Sequence, residues 1–195
     1  MDSASERVAE EAAWIHRIGQ GDKAALQLLY QRYAPRIFRF VIRMMKDEAK
    51  AEELVNDVMM EIWKSAAGFE GRSSPSTWIL GIARFRTLNA VRGKKLDTVE
   101  LTQAPEAVDE AEDASAAKSH EQLRALLRQS IARLSDEHRE VVELTFFHDC
   151  SYKEIAEILQ CPENTVKTRM YHAKAKLKPW LKNLGLADAE LGGVT

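Results

Sequence analysis

Six cations stand close together near the C-terminus: Lys167, Arg169, Lys174, Lys176, Lys178 and Lys182, with no acidic residue between Asn164 and Lys182. On an isolated helix such a run repels itself. Beside a phosphate backbone it becomes favourable, because phosphate contacts supply most of the binding free energy and its salt dependence. The bland use of the same run is a solvated helix end complementing the dipole. The residues ahead of it favour duplex DNA. Ser151-Tyr152-Lys153-Glu154 is a capping box, and Ile155, Ala156, Ile158 and Leu159 make a short helix with a small residue where a crossing would be close. Pro162 opens a second helix with Val166, Met170, Ala173, Leu177 and Leu181 on its inner face. That is the pattern of a helix-turn-helix.

A second group lies between Phe69 and Lys95. A loop with Phe69, Arg72, two serines and Pro75 precedes a helix carrying Trp78, Arg84, Phe85, Arg86, Asn89, Arg92, Lys94 and Lys95. Rings interleaved with cations suit unpaired bases, which stack on the rings while arginines hold phosphates. For Trp78 a plain core position is the stronger reading; Phe85 is left open between core and surface.

Carboxylates gather at Glu52, Glu53, Asp57 and Glu61, with Asn56, on the polar face of an amphipathic helix. A two-metal nuclease needs a second cluster to complete its site, and none is positioned to do so. His148-Asp149-Cys150 and Cys161 are one ligand short of a soft-metal site unless His138 or water supplies it. Two free cysteines are more often small core residues. No metal and no cofactor are expected.

The elements that position these groups all read as helices. Leu26, Leu29, Tyr30 and Tyr33 recur at helical spacing, Pro35 is placed just inside a new helix, and Ile37, Phe38, Val41, Ile42 and Met45 repeat the pattern. Asp47 caps a third helix with Ala51, Leu54, Val55, Val58, Met59 and Ile62 on one face; Ser76 or Thr77 caps a fourth. Leu123, Leu126, Leu127, Ile131 and Leu134 form a further stripe, followed by Val141, Val142, Leu144, Thr145 and Phe146. No β-type alternation appears. The fold class expected is all-α, with two small helical domains.

The chain has 195 residues and a net charge of −2, but that charge is unevenly spread. Residues 20–95 carry a net +6, residues 96–121 a net −7 and residues 122–183 a net +3. Two basic modules are therefore separated by an acidic stretch too poor in large apolar residues to bury itself, which reads as a flexible linker. The domain boundaries expected are 10–95, a linker at 96–121, and 122–184. The acidic N-terminus lacks an apolar stretch, no apolar run approaches the roughly 20 residues needed to span a bilayer, and two cysteines build no disulfide framework. These features point to a cytoplasmic protein without membrane insertion.

Three stretches carry a resemblance to a known family: GDKAALQLLYQRYAPRIFRFVIRMM, AEELVNDVMMEIWKSAAGFEGRSSPSTWILGIAR and LSDEHREVVELTFFHDCSYKEIAEILQCPENTVKTRMYHAKAKL. In order and spacing the chain resembles a bacterial extracytoplasmic-function (ECF, group IV) sigma factor of the sigma-70 family, over roughly 19–95 and 122–182. The resemblance implies a dissociable subunit of RNA polymerase that performs no covalent chemistry. Glu52, Glu53, Asn56 and Asp57 would dock a sigma-2 domain on core polymerase. Phe69, Arg72, Trp78, Arg84, Phe85, Arg86, Asn89 and Arg92 would capture and melt the −10 element. A sigma-4 helix would read the −35 element with Lys167, Thr168, Tyr171 and His172, while Asn164, Arg169 and Lys174 lie nearer the backbone. An anti-sigma factor is the expected regulator of a stress- or envelope-responsive regulon. The chain departs from the family pattern in three places. Phe85 stands where an Asn is usual, Gln160 where the helix-turn-helix turn usually has Gly, and Trp78-Ile79 where primary factors have two tryptophans. The competing readings are a sigma mimic that sequesters a protein partner and a plain helix-turn-helix regulator.

Overall fold

The computed structural model describes residues 3–97 and 125–183, with side chains over 5–92 and 125–182. The acidic stretch beyond Asp97, Leu123, the side chains of Lys94 and Lys95, and the tail after 183 lie outside the described residues. Eight α-helices and one short 3₁₀ turn account for the secondary structure, and no strand occurs among the described residues. They divide into two compact units, one whose body is the helices up to Asp97 and one whose body is 125–155 with 161–183.

In the first unit α1 (Ser3–Gly19), α2 (Lys23–Met45), α3 (Glu48–Ser65) and α4 (Pro75–Asp97) pack as a bundle, with a 3₁₀ turn at Ala66–Gly68. The core is built from Trp14, Ile15 and Ile18 of α1, Leu29, Ile37 and Phe40 of α2, Leu54, Val58 and Ile62 of α3, and Ile79 and Leu80 of α4. Their burial removes apolar surface at roughly 25 cal/mol per Å². One buried polar bond crosses this core: the Tyr33 hydroxyl donates to Glu11 Oε2 at 2.7 Å. Burial, and then the neighbouring carboxylate, push the Tyr33 phenol well above its ordinary range, so it stays a donor. Arg32 adds contacts to Glu10 and Glu11 and lies over the Trp14 ring at 4.6 Å.

Three local expectations are corrected. Pro35 starts no helix; it lies inside α2, which runs unbroken from Lys23 to Met45. The apolar face continues across it, with Ala25, Leu29 and Tyr33 before and Ile37, Phe40 and Val41 after, and Pro35 itself is exposed. Packing on both sides therefore outweighs the hydrogen bond that the ring removes. The fourth helix is capped by Ser74, whose Oγ accepts from the Thr77 N–H at 3.1 Å, with Pro75 as the first helical residue, where its missing N–H costs nothing. Tyr30 turns outward although it shares the spacing of a buried stripe. The Asp47 cap is as expected, accepting from the Lys50 N–H.

The chain after the acidic stretch forms α5 (125–132 in its described part), α6 (Asp136–Phe146), α7 (Tyr152–Leu159) and α8 (Glu163–Asn183). The capping box forms as read: Glu154 Oε2 accepts from the Ser151 N–H at 2.9 Å, and Ser151 Oγ accepts from the Glu154 N–H at 3.3 Å. Gln160 turns the chain from α7 into α8 at φ +53°, the left-handed conformation that its position requires and a glycine would adopt without strain.

Candidate nucleic-acid interface

The two faces of α8 separate cleanly. Val166, Met170, Ala173, Leu177 and Leu181 are all buried, and α8 packs on α6. Asn164, Lys167, Thr168, Tyr171 and His172 are exposed, with Tyr171 at 71% of its surface. Tyr171 and His172 meet edge to face at 5.5 Å. Thr168 donates its hydroxyl to the Asn164 carbonyl, a back-bond one turn toward the N-terminus. Lys174 is half-buried.

Cations of this helix are already engaged within the protein. Lys167 pairs with Glu163 at 2.8 Å, one turn back. Arg169 is half-buried and reaches Glu137 of α6 at 2.9 Å. Lys176 lies 3.4 Å from His138 Nδ1, and the His138 ring is 6.2 Å from that of His172. Burial, then Lys176 and His172, hold His138 below its ordinary range, so it is a neutral acceptor at neutral pH. Glu137 and His138 escape a reading of α8 alone. Their signal is their position in the first turn of a helix whose next turns are buried.

On α4, Trp78, Phe85, Asn89 and Arg92 fall within about 60° of one another at 100° per residue. Phe69 closes on Trp78 at 5.0 Å with a tilt of 50°. Both rings are half-buried, so they support each other at the loop's edge. Phe85 is different: 62% of its surface is exposed, which places it outside the core. Asn89 and Arg92 are exposed beside it, and Arg84 is half-buried. Arg72 is exposed and pairs with Glu70. Arg86 turns toward α3 and pairs with Glu61, away from the exposed row.

The polar face of α3 presents Glu52, Glu53, Asn56 and Asp57 to solvent. Glu53 takes Lys50 at 2.6 Å. The Tyr30 hydroxyl reaches Asn56 Oδ1 at 3.4 Å, and Met60 is 52% exposed one turn beyond. This face therefore has Tyr30 beside it, a residue that its helical spacing put on the buried stripe. Cys150 is buried, with Sγ 3.6 Å from the His148 carbonyl. Among the described residues no three His, Cys, Asp or Glu side chains converge as metal ligands, and no helix is long and apolar enough to cross a membrane.

An all-α chain that pairs an aromatic–cationic helix face with a helix-turn-helix has the build of a transcription initiation factor of the sigma-70 kind. Residues 29–96 match the family model described as Sigma-70 region 2, and residues 124–177 match Sigma-70, region 4. The chain is 32% identical over 159 residues to the ECF RNA polymerase sigma factor RpoE of Cereibacter sphaeroides, covering 80% of this chain and 86% of that one. It is 30% identical over 171 residues to the ECF sigma factor SigX of Bacillus subtilis, covering 85% and 86%. The chain belongs to the ECF RNA polymerase sigma factors. Among solved structures, CnrH in complex with the cytosolic domain of CnrY shares the fold, with a TM-score of 0.66 at 19% identity over 89% of this chain and 98% of that one. Sigma factor RpoE of Bartonella quintana, in complex with the anti-sigma factor NepR, has a TM-score of 0.64 at 26% identity over 80% and 96%.

Proposed function

We propose that the chain divides promoter recognition between a polymerase-docking, −10-opening domain at 10–95 and a −35-reading domain at 122–184, joined by the acidic segment 96–121. The observation that carries this reading is Phe85, a large ring left in water on a row with Trp78, Asn89 and Arg92. An exposed ring among cations is an unpaired-base platform, since stacking on an aromatic is worth about 1–3 kcal/mol per base. With a ring where the family usually has Asn, −10 recognition relies on stacking more than on hydrogen bonding.

In the second domain Lys167, Thr168, Tyr171 and His172 face the major groove, Tyr171 packing on a thymine methyl, while Asn164, Arg169 and Lys174 serve the backbone. Glu52, Glu53, Asn56 and Asp57 dock on core polymerase. The work is binding: cations neutralise phosphates, duplex −35 is read, and unpaired −10 bases are trapped so that melting becomes favourable. The protein is no enzyme and acts in the cytoplasm. Control by an anti-sigma factor is supported by the relative from Bartonella quintana, which is bound to one. The −7 segment acts as a nucleic-acid mimic in the polymerase RNA path; neutralising its acids should change the ratio of abortive to full-length products.

The test is run-off transcription with purified core polymerase on fragments of the source genome. Start sites sharing one −35/−10 pair are expected. Binding to core without transcripts would favour a sequestering mimic, and failure to bind core would remove the role of Glu52–Asp57.

A further inference from the structure

On α8 the exposed row of Asn164, Thr168 and Tyr171 runs between two basic flanks. Lys167 and Lys174 lie on one side. Arg169, His172 and Lys176 fall within about 60° of one another on the other, at 100° per residue, and this is the side that meets α6. A helix in the major groove has a phosphate wall on each side. On the α6 side the cations meet the first turn of that second helix. Glu137 takes Arg169 at 2.9 Å, and Asp136 is taken within its own turn by Arg139 at 3.3 Å. What faces Lys176 is a histidine: Lys176 Nζ stands 3.4 Å from His138 Nδ1, and Ser135 Oγ lies 2.8 Å from the same nitrogen. Lysine can only donate, so Nδ1 accepts and the neutral ring carries its proton on Nε2. The sequence of the turn, Ser135-Asp136-Glu137-His138, is a capping box with histidine in the place of glutamate. The Ser151–Glu154 box closes; Ser135 makes no side-chain cap bond, and its hydroxyl meets the ring instead. A lost cap costs about 1 kcal/mol. Local stability thus favours a carboxylate at this position, whereas the ring carries the basic flank of α8 onto α6.

We infer that His138 and Lys176, with His172 at the edge of the seat, hold a backbone phosphate of the −35 duplex on the α6 flank of α8. This rests on the −35 reading of α8, to which it adds a residue of a second helix. A phosphodiester oxygen accepts from Lys176 Nζ and from the His138 ring, and its charge reverses the balance at that ring. In the free protein burial, then Lys176 and His172, oppose a proton on His138; Arg169 acts the same way and Glu137 acts against them. An anion beside the ring and Lys176 favours the protonated form, so binding draws in a proton. The rings of His138 and His172 are 6.2 Å apart, and among the described residues no third ligand joins them to hold a metal.

The experiment uses the full chain with core polymerase and two probes built on a mapped promoter. One carries the duplex −35 element and its flanks; the other ends just upstream of the −10 element. The ratio of their affinities is the −35 gain, from which pH effects on core and on −10 binding cancel. The wild-type gain should be larger at about pH 6 than at about pH 8, on either side of the ordinary histidine range. The rise should be no more than tenfold per pH unit, the limit for one proton. At the lower pH the log–log salt slope of the gain should be steeper by about 0.9, an extra loss of about 3.5-fold between 50 and 200 mM salt. His138→Gln should remove both the pH dependence and the extra slope. Lys176→Gln should lower the gain at both pH values. A wild-type gain of equal size at both, or a pH dependence kept by His138→Gln, would overturn the seat. A dependence lost in His172→Gln but kept in His138→Gln would assign the proton to the base-facing row and overturn it as well. If the longer probe brings no gain at either pH, the −35 reading itself fails and the seat falls with it.

Discussion

The Arg86 guanidinium is turned inward onto the Glu61 carboxylate, joining α4 to α3 behind the face that carries Phe85. A residue that the sequence places among the −10 cations is thus part of the frame. Both partners are about a third exposed, so solvent screens the pair and the expected stability is modest, about 1 kcal/mol. Arg86→Ala should lower the melting temperature and weaken −10 probes only in proportion. A large loss of DNA binding with unchanged melting would return Arg86 to the DNA surface.

Phe85→Ala should have the opposite signature. With most of the ring in water, its removal should leave melting within ~0.5 kcal/mol. It should cost ~1–3 kcal/mol in open-complex stability, one base's stacking. Permanganate footprints of the melted region, compared with binding to closed duplex, separate the two steps. A variant that melts promoters normally would end the stacking role.

Glu137 of α6 pairs with Arg169 of α8 at 2.9 Å. Glu137→Gln should leave Arg169, already assigned to the backbone, without a competing carboxylate, raising affinity for random duplex and steepening the log–log salt slope by less than the ~0.9 of a wholly new contact. An unchanged slope together with a lower melting temperature would make the pair purely structural.

His138 titrates below its ordinary value of 6.5 because burial, then Lys176 and His172, oppose its charge. The folded protein therefore binds this proton less readily than the unfolded chain. Its contribution to stability is full above about pH 6.5 and drains as pH falls through the folded value. His138→Gln should flatten that part of the pH dependence of the melting temperature. Equal slopes in both proteins would show that other groups set it.

Gln160→Gly should stabilise the helix-turn-helix by up to about 1 kcal/mol, because φ +53° strains a side-chain-bearing residue. Chemical denaturation would read this; a loss of stability would mean that the glutamine side chain contributes more than the strain costs.

Much of this was legible in the residues. The inner face of α8, the Ser151–Glu154 box, the Asp47 cap and the acidic face of α3 all rest on local chemistry repeated at helical spacing, and each stands where its spacing put it. What periodicity missed was decided by tertiary contact. Pro35 stays inside α2 because its neighbours are packed on both sides. Tyr30 keeps helical spacing with Leu29 and Tyr33 yet faces out, since a stripe's edge residues depend on the width of the partner helix. Phe85 could not be placed from its type, as a ring serves core and base equally well. The cross-helix partners Glu61 and Glu137 lie 25 and 32 residues from their arginines, beyond the reach of any local pattern.

Gly19 ends α1 where an added Cβ would stand 2.9 Å from the backbone of Ala67, in the turn that leads into Phe69. A methyl group there would have to push main chain aside, and main chain has no rotamer to move into. In a saturation mutagenesis screen scored by promoter output, this position should behave like a core residue although it contributes no side chain. Its intolerance would record how little the turn before Phe69 can be displaced, making a silent atom-sized gap a reporter of where that ring must sit.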